Sequence, residues 1–182
     1  MADRANYKPH GAIEATPCLT EMTTKLLGLL VPRKTVWEFG SGGSTLWFAK
    51  RAKSVVSIED DPDWYAAVKD ALNEQGMEGV DLRLSPTKTL PDTITDEGLY
   101  DLVFVDCLTQ NERRRSIILG ALHVKPGGWL VADDYTFPLT NKEVEKLRAE
   151  GWDVTVVSGT KTHPLRKVVV ATATAFCRRP GP

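Results

Sequence analysis

The chain predicts an α/β domain built on a doubly wound, mostly parallel sheet with one reversed edge strand. Three observations predict it. From residue 20 onward short apolar strands alternate with helical segments. The first strand enters a glycine-rich turn and a helix, Val36-Trp37-Glu38-Phe39-Gly40-Ser41-Gly42-Gly43-Ser44-Thr45-Leu46-Trp47, the order of a nucleoside-binding βαβ unit. The chain then closes on two β-rich runs, Trp152–Val157 and Lys167–Phe176, whose connection Ser158–Arg166 fits an antiparallel pair better than a crossover helix.

Residues 1–18 read as an irregular arm broken by Pro9, Gly11 and Pro17, and residues 19–182 as a single domain. Thr20–Leu30 spaces Met22, Leu26, Leu27, Leu29 and Leu30 as a helix that ends before Pro32. Thr35–Phe39 is the first strand, with a helix from Ser44 as N-cap to about Lys53 and a second strand over Ser54–Glu59. Asp61-Pro62-Asp63-Trp64 opens a helix acid-first with proline in the first turn, running to Gln75 before Gly76. Val80–Ser85 alternates as a third strand. Tyr100–Asp106 carries Leu102 to Val105 as an unbroken apolar run, the pattern of a strand buried on both faces. Asn111–Leu122 is helical, Pro126-Gly127-Gly128 turns the chain into the strand Trp129–Ala132, and Asn141–Glu150 is a polar helix.

Bulk composition narrows the class. At 42% hydrophobic and 26% charged over 182 residues, the chain is ordinary globular material. A net charge of −1 supplies no general attraction to nucleic acid or to anionic membranes. Cys18, Cys107 and Cys177 are widely spaced and form neither a disulfide framework nor a zinc pattern, which fits a reducing cytoplasm. The first ten residues are polar, and no apolar run is long enough to span a bilayer. A cytoplasmic protein is the expectation, with oligomeric state open.

Two acids select among nucleosides. Glu38 stands two residues ahead of Gly40, and Glu59 ends the second strand. A carboxylate at the mouth of the turn opposes a pyrophosphate, since like charges 4 Å apart near a surface repel by about 4 kcal/mol. S-adenosylmethionine instead brings an ammonium and a sulfonium. Thr45 also stands where the dinucleotide fingerprint has its third glycine. An NAD-dependent oxidoreductase remains the competing reading.

With Glu38-Phe39-Gly40-Ser41-Gly42, Glu59, Tyr100 through Asp106, and Leu122 through Tyr135 (LHVKPGGWLVADDY), the chain resembles the class I S-adenosylmethionine-dependent methyltransferases over residues 20–178. The resemblance implies a seven-stranded sheet of order 3-2-1-4-5-7-6 with strand 7 antiparallel. It implies that Gly40, Ser41 and Gly42 line the methionine end of the cofactor with Glu38 near its ammonium. Glu59 then binds the ribose hydroxyls, and Asp60 and Ser85 border the adenosine. Many members carry an apolar residue where this chain has Asp60, which moves the adenine contact to Trp64 or Leu84.

For chemistry, the resemblance implies Asp106 at the end of the fourth strand, touching cofactor or acceptor, with Asp133 and Tyr135 flanking the acceptor. The catechol O-methyltransferase-like branch ligates a divalent metal through an acid at the position of Asp106 and an acid–asparagine pair. Asp106, Asp133 and Asp134 resemble that set and suit magnesium, while Thr109 stands where that branch has a lysine base. Helix capping and loop orientation are the alternatives for these acids. His123 reads as structural; His163 and His10 lie in segments able to fold over the cleft. Arg113-Arg114-Arg115 is a helix start, either a solvated face or a site for an anionic acceptor. No Asn/Asp-Pro-Pro-aromatic signature of nucleobase amino-methyltransferases follows the fourth strand. The leading expectation is O-methylation of a small molecule; the alternatives are a non-catalytic S-adenosylmethionine-binding subunit and a methyltransferase of macromolecules.

Overall fold

The computed structural model describes residues 13–85, 98–162 and 168–181. The elements follow as α1 (Glu21–Leu30), β1 (Thr35–Phe39), α2 (Gly43–Ala49), β2 (Ser54–Glu59), α3 (Pro62–Glu74), β3 (Val80–Leu84), β4 (Tyr100–Val105), α4 (Gln110–Leu122), β5 (Val124–Ala132), α5 (Pro138–Ala149), β6 (Asp153–Thr162) and β7 (Val169–Arg178). They form one seven-stranded sheet in the order β3-β2-β1-β4-β5-β7-β6. The β3-β2, β2-β1, β1-β4 and β4-β5 pairs are parallel, and β7 runs antiparallel to both β5 and β6. The predicted order and the reversed strand are both present. Among the described residues no helix is long and apolar enough to cross a membrane.

The alternation of side chains along each strand splits the interior in two. Trp37, Phe39, Val103, Val105, Leu130 and Ala132 face α4 and α5 together with Ile117, Val144 and Trp152. Val36, Val55, Leu102, Phe104 and Val131 face the other way onto Leu27 of α1 and Phe48 of α2. Leu46, Val68, Ala71 and Leu72 seal α2 against α3, with Ile13 and Ala15 of the arm packed on them. Each fully buried side chain of this size contributes about 1.5–3 kcal/mol.

Local rules set the helix starts. Thr20 caps α1 by accepting from the Thr23 N–H. Asp61 caps α3 ahead of Pro62, and Thr109 caps α4 in a reciprocal pair with Glu112. The prediction misses at α2. That helix begins at Gly43, and Ser44 turns its hydroxyl down onto a buried acid instead of capping. The first closing strand is longer than expected as well, and the second is shifted by two residues. Gly159 to Thr162 continue β6 in register with β7, pairing Lys161 with Val170 and Thr162 with Val169. Polar residues there hid a ladder held by its neighbour.

In the glycine-rich turn two glycines are required by close approach. Gly40 has φ +87°, and a Cβ added to it would stand 2.5 Å from the Asp106 carbonyl oxygen. The ends of β1 and β4 therefore close on each other with no room between. At Gly43 a Cβ would meet the carbonyls of Thr16 at 2.4 Å and Glu14 at 2.7 Å, so the arm lies directly on the start of α2. Gly42 differs: its added Cβ touches only the Trp64 ring at 3.7 Å, ordinary contact. Gly40→Ala is therefore expected to lose about 1–3 kcal/mol of unfolding free energy in urea titrations, while Gly42→Ala stays close to wild type. Equal losses in both variants would refute the difference.

Candidate active site

The glycine turn rests on a buried carboxylate. Glu38 on β1 is fully buried; its Oε1 accepts from the Ser44 hydroxyl at 2.5 Å, and its Oε2 from Thr45 and Ser57 at 2.6 Å each. Thr45 Oγ1 in turn accepts from the Gly42 N–H at 2.9 Å. One carboxylate thus joins β1, β2 and the first turn of α2. Burial pushes its pKa up to about 7, against the pull of the three hydroxyls. The sequence reading set Glu38 at the mouth of the turn; the structure places it underneath, where it influences a ligand through its field and its hold on the turn.

Glu59 performs the second tie. Its Oε2 accepts from the N–H and the hydroxyl of Ser41, each at 3.0 Å, and its Oε1 from the N–H groups of Asp60 at 2.9 Å and Asp61 at 3.0 Å. Burial again lifts the carboxyl to about 7 despite these donors. A carboxylate has about four lone-pair sites, so a diol arriving at Glu59 must replace or share a donor, and the Ser41 hydroxyl is the one free to rotate. Trp64 Nε1 donates to the Ser41 carbonyl at 2.7 Å, fixing the other side of the turn. Ser85 and Asp60 are both buried nearby in the chain's path, with the Ser85 N–H on the Glu59 carbonyl at 2.6 Å. Leu84 is 42% exposed at the end of β3.

The other half of this sheet edge gathers three aspartates. One oxygen from each of Asp106, Asp133 and Asp134 lies within 4.8 Å of the others, close enough for a single ion. Two cations of the chain already pair with them. Arg113 Nη1 donates to Asp106 Oδ1 and to the Asp133 carbonyl, both at 3.1 Å, and its Nη2 lies 3.2 Å from Asp134 Oδ2. Lys161 Nζ lies 2.5 Å from Asp133 Oδ2 and 3.2 Å from Asp134 Oδ1. Thr174 and Thr172 on β7 donate to Asp133 Oδ1 and Asp134 Oδ1 at 2.8 Å, the second oxygen being shared with Lys161. Asp134 holds a left-handed backbone, φ +51°.

Charge follows this geometry. Burial raises Asp133 to about 6, helped by Asp106 and opposed by Lys161. Burial also acts on Asp134, but Arg113 and Lys161 hold it below the ordinary carboxylate range. Lys161 is itself buried, yet Asp106, Asp133 and Asp134 raise its pKa.

Several expectations meet a different arrangement. Tyr135 sends its hydroxyl to Glu145 of α5 at 2.8 Å, and its N–H bonds the Ala173 carbonyl, so it engages α5 and not the aspartates. The left-handed turn at Asp134 redirects the chain just before it. Thr109 is the α4 cap. Arg113, expected on a solvated helix face or an anion site, is buried among the acids one turn into α4. Lys161 carries no local signal in the sequence; it reaches the acids because β6 continues through Thr162 beside β7. His123 ends α4 at the foot of β5, with Nδ1 3.3 Å from the Gly98 carbonyl, a structural place as expected. His10, His163 and most of the loop Pro86–Leu99 lie outside the described residues.

The buried glutamates carry a pH signature. Their folded pKa values exceed the unfolded value of about 4.3, so their stability contribution is full below that value and is lost as pH rises through about 7. Glu38→Gln is neutral at all pH. The unfolding free energy of wild type minus that of Glu38→Gln is expected to fall by about 1–3 kcal/mol between pH 4.5 and 7.5. A difference that stays constant across that range would mean Glu38 is ionised throughout.

A family model described as a methyltransferase domain matches residues 37–135, more than half of the chain. No curated protein matches this sequence. Solved structures share the fold at low identity. A candidate O-methyltransferase from Klebsiella pneumoniae superposes with TM-score 0.75 and 16% identity, over 98% of this chain and 86% of its own. An O-methyltransferase from Bacillus cereus, in complex with S-adenosylhomocysteine (SAH), gives 0.72 and 18%, over 97% of this chain and 86% of its own. A precorrin-8w decarboxylase from Methanobacterium thermoautotrophicum gives 0.70 and 17%, over 96% and 97%. The glycine turn braced by two acids lies inside the matched segment, and with it the chain belongs to the methyltransferase-domain family, the class I S-adenosylmethionine-dependent methyltransferases.

Proposed function

We propose that this methyltransferase transfers the methyl group to an oxygen of a small-molecule acceptor, at the carboxyl edge of β1, β2 and β4. One observation carries the site: the turn Gly40–Gly42 is bonded to Glu59 on one side and closed against Asp106 on the other. Such an edge is where open α/β sheets bind ligands. Bound S-adenosylmethionine supplies an electrophilic methyl carbon on a sulfonium. The residues have the remaining tasks of positioning and proton removal.

In this reading Gly40, Ser41 and Gly42 hold the methionine end, and Glu38 lends negative potential from beneath. Glu59 accepts from the ribose hydroxyls once the Ser41 hydroxyl turns aside. Asp60, Trp64, Leu84 and Ser85 border the adenosine. Asp106, whose side chain keeps 25% of its surface exposed, orients the acceptor hydroxyl and receives its proton. Asp133 is fully buried and acts by holding Lys161 and Thr174. A small acceptor is supported by the arm, which lies on α2 at Gly43 and brings Cys18 Sγ to 3.8 Å from the Thr162 carbonyl beside Lys161. The net charge of −1 gives no support to a nucleic-acid substrate. Cys18, Cys107 and Cys177 are all free thiols, which suits a reducing cytoplasm.

Calorimetric titration with S-adenosylmethionine and SAH is expected to show micromolar binding at one site; a folded sample that binds neither overturns the reading. Methyl-labelled cofactor with a panel of small hydroxylated compounds then tests the acceptor. Label found on oxygen supports the proposal, and binding without turnover on any acceptor favours a non-catalytic subunit. Glu59→Ala is expected to weaken SAH binding by about 1–3 kcal/mol. Gly42→Val is expected to fold, because a Cβ there meets only Trp64, and to lose SAH binding, because the branched side chain enters the ligand's space.

A further inference from the structure

The three clustered aspartates have the residue types and spacing of a divalent-metal site, yet five of their six oxygens are already engaged, all but Asp106 Oδ2. Asp133 Oδ1 takes Thr174, and Asp133 Oδ2 takes Lys161. Asp134 Oδ1 takes Thr172 and Lys161, and Asp134 Oδ2 faces Arg113. Asp106 Oδ1 takes Arg113. Magnesium requires near-octahedral oxygen donors at about 2.0–2.1 Å. An ion bonded to Asp133 Oδ2 would share that oxygen with an ammonium 2.5 Å away, and the repulsion between a dication and a buried ammonium at that range acts in a medium that screens poorly. The charge balance points the same way. Three carboxylates against Lys161 and Arg113 leave one negative charge, whereas adding a dication would make the cluster net positive.

We infer that Lys161 is the resident cation of this edge, standing where a metal would stand, and that methyl transfer by this protein is metal-independent. The inference rests on the methyltransferase reading for its meaning, but its physical content concerns the cluster alone. Lys161 is a positioning residue: its side chain is 9% exposed, and it ties the end of β6 to the acids after β5, where Asp133 and Asp134 follow Ala132. Its ammonium has three N–H donors, two of them directed at Asp133 and Asp134. It thereby presents a fixed positive charge beside Asp106, at the place where the acceptor oxygen is proposed to lose its proton. Arg113 holds the opposite side of the cluster and is 3% exposed, so the substitution of one cation leaves the other in place.

The test is manganese binding, read by the loss of the free-ion electron paramagnetic resonance signal, on wild type, Lys161→Met, Lys161→Gln and Lys161→Arg. Each sample is also titrated with SAH and its melting temperature is taken with and without EDTA. Wild type and Lys161→Arg are expected to leave manganese free at millimolar concentration and to melt at the same temperature in EDTA. Lys161→Met and Lys161→Gln are expected to gain manganese affinity by about 100-fold or more, because the freed acids are hard oxygen donors. A lysine with a purely packing role would leave manganese affinity unchanged on removal. Wild type that binds manganese tightly while still binding SAH overturns the inference and leaves the methyltransferase reading intact. A folded Met or Gln variant that still rejects manganese also overturns it, since something other than Lys161 would then fill the place. Wild type that binds no SAH counts against the methyltransferase reading instead, and the manganese result still decides the cluster. If neither substitution folds, the wild-type titration alone decides the metal question.

Discussion

The hold of Glu38 on three hydroxyls is the constraint from which the rest of this edge follows. A buried carboxylate is costly unless hydrogen-bonded, and here its donors come from separate places: Ser44 and Thr45 at the start of α2, and Ser57 on β2. Meeting the needs of one acid therefore sets the angle at which α2 leaves β1 and the spacing of β1 from β2. Thr45 passes the constraint on by accepting from Gly42, so the turn is positioned from below before any ligand arrives. Ser41 then falls within reach of Glu59, and Gly40 closes on Asp106. The cleft is preorganised by hydrogen bonds within the chain.

Beyond that turn the edge divides into two electrostatic halves. The acids of β1 and β2 are satisfied by neutral donors, hydroxyls and N–H groups, and burial brings their pKa values up to about 7. Those after β4 and β5 are satisfied by Arg113 and Lys161, and Asp134 stays low. The first half meets its acids with neutral groups alone, whereas the second sets carboxylates against cations of the chain. The proposed reaction, which moves a methyl from a sulfonium and removes a proton from an acceptor, calls on both kinds of surface side by side.

Much of the scaffold was legible because local rules and burial agree there. β1 and β2 stand at their predicted bounds, since each is a short apolar run with an acid at or next to its end and a turn beyond it. The cap–proline start of α3 and the buried run of β4 carry equally direct signals. Legibility ends where a position depends on distant partners. Lys161 lies in a polar stretch, Gly159-Thr160-Lys161-Thr162, that has no strand signature of its own and is strand only because β7 pairs with it. Arg113 stands in a run of three arginines, and nothing local distinguishes the one that turns inward; Asp106 and Asp134, distant in sequence, make that choice. Tyr135 was read from its place after the acid pair, but the reversal of backbone hand at Asp134 sends it to α5. The acids themselves were found by pattern, and their cations were not.

That reversal also narrows what evolution can write at position 134. A left-handed backbone, φ +51°, is open to Gly, Asn and Asp and closed to β-branched or bulky residues except at a cost. Aspartate and asparagine have nearly the same shape and the same tolerance for this conformation. Exchanging one for the other leaves the backbone alone, removes the charge, and replaces one acceptor oxygen with an NH2 donor that would face Arg113 or Lys161. Position 134 is thus a place where a lineage can add or remove one negative charge without bending the backbone, provided that the cations paired with it, Arg113 and Lys161, change in step.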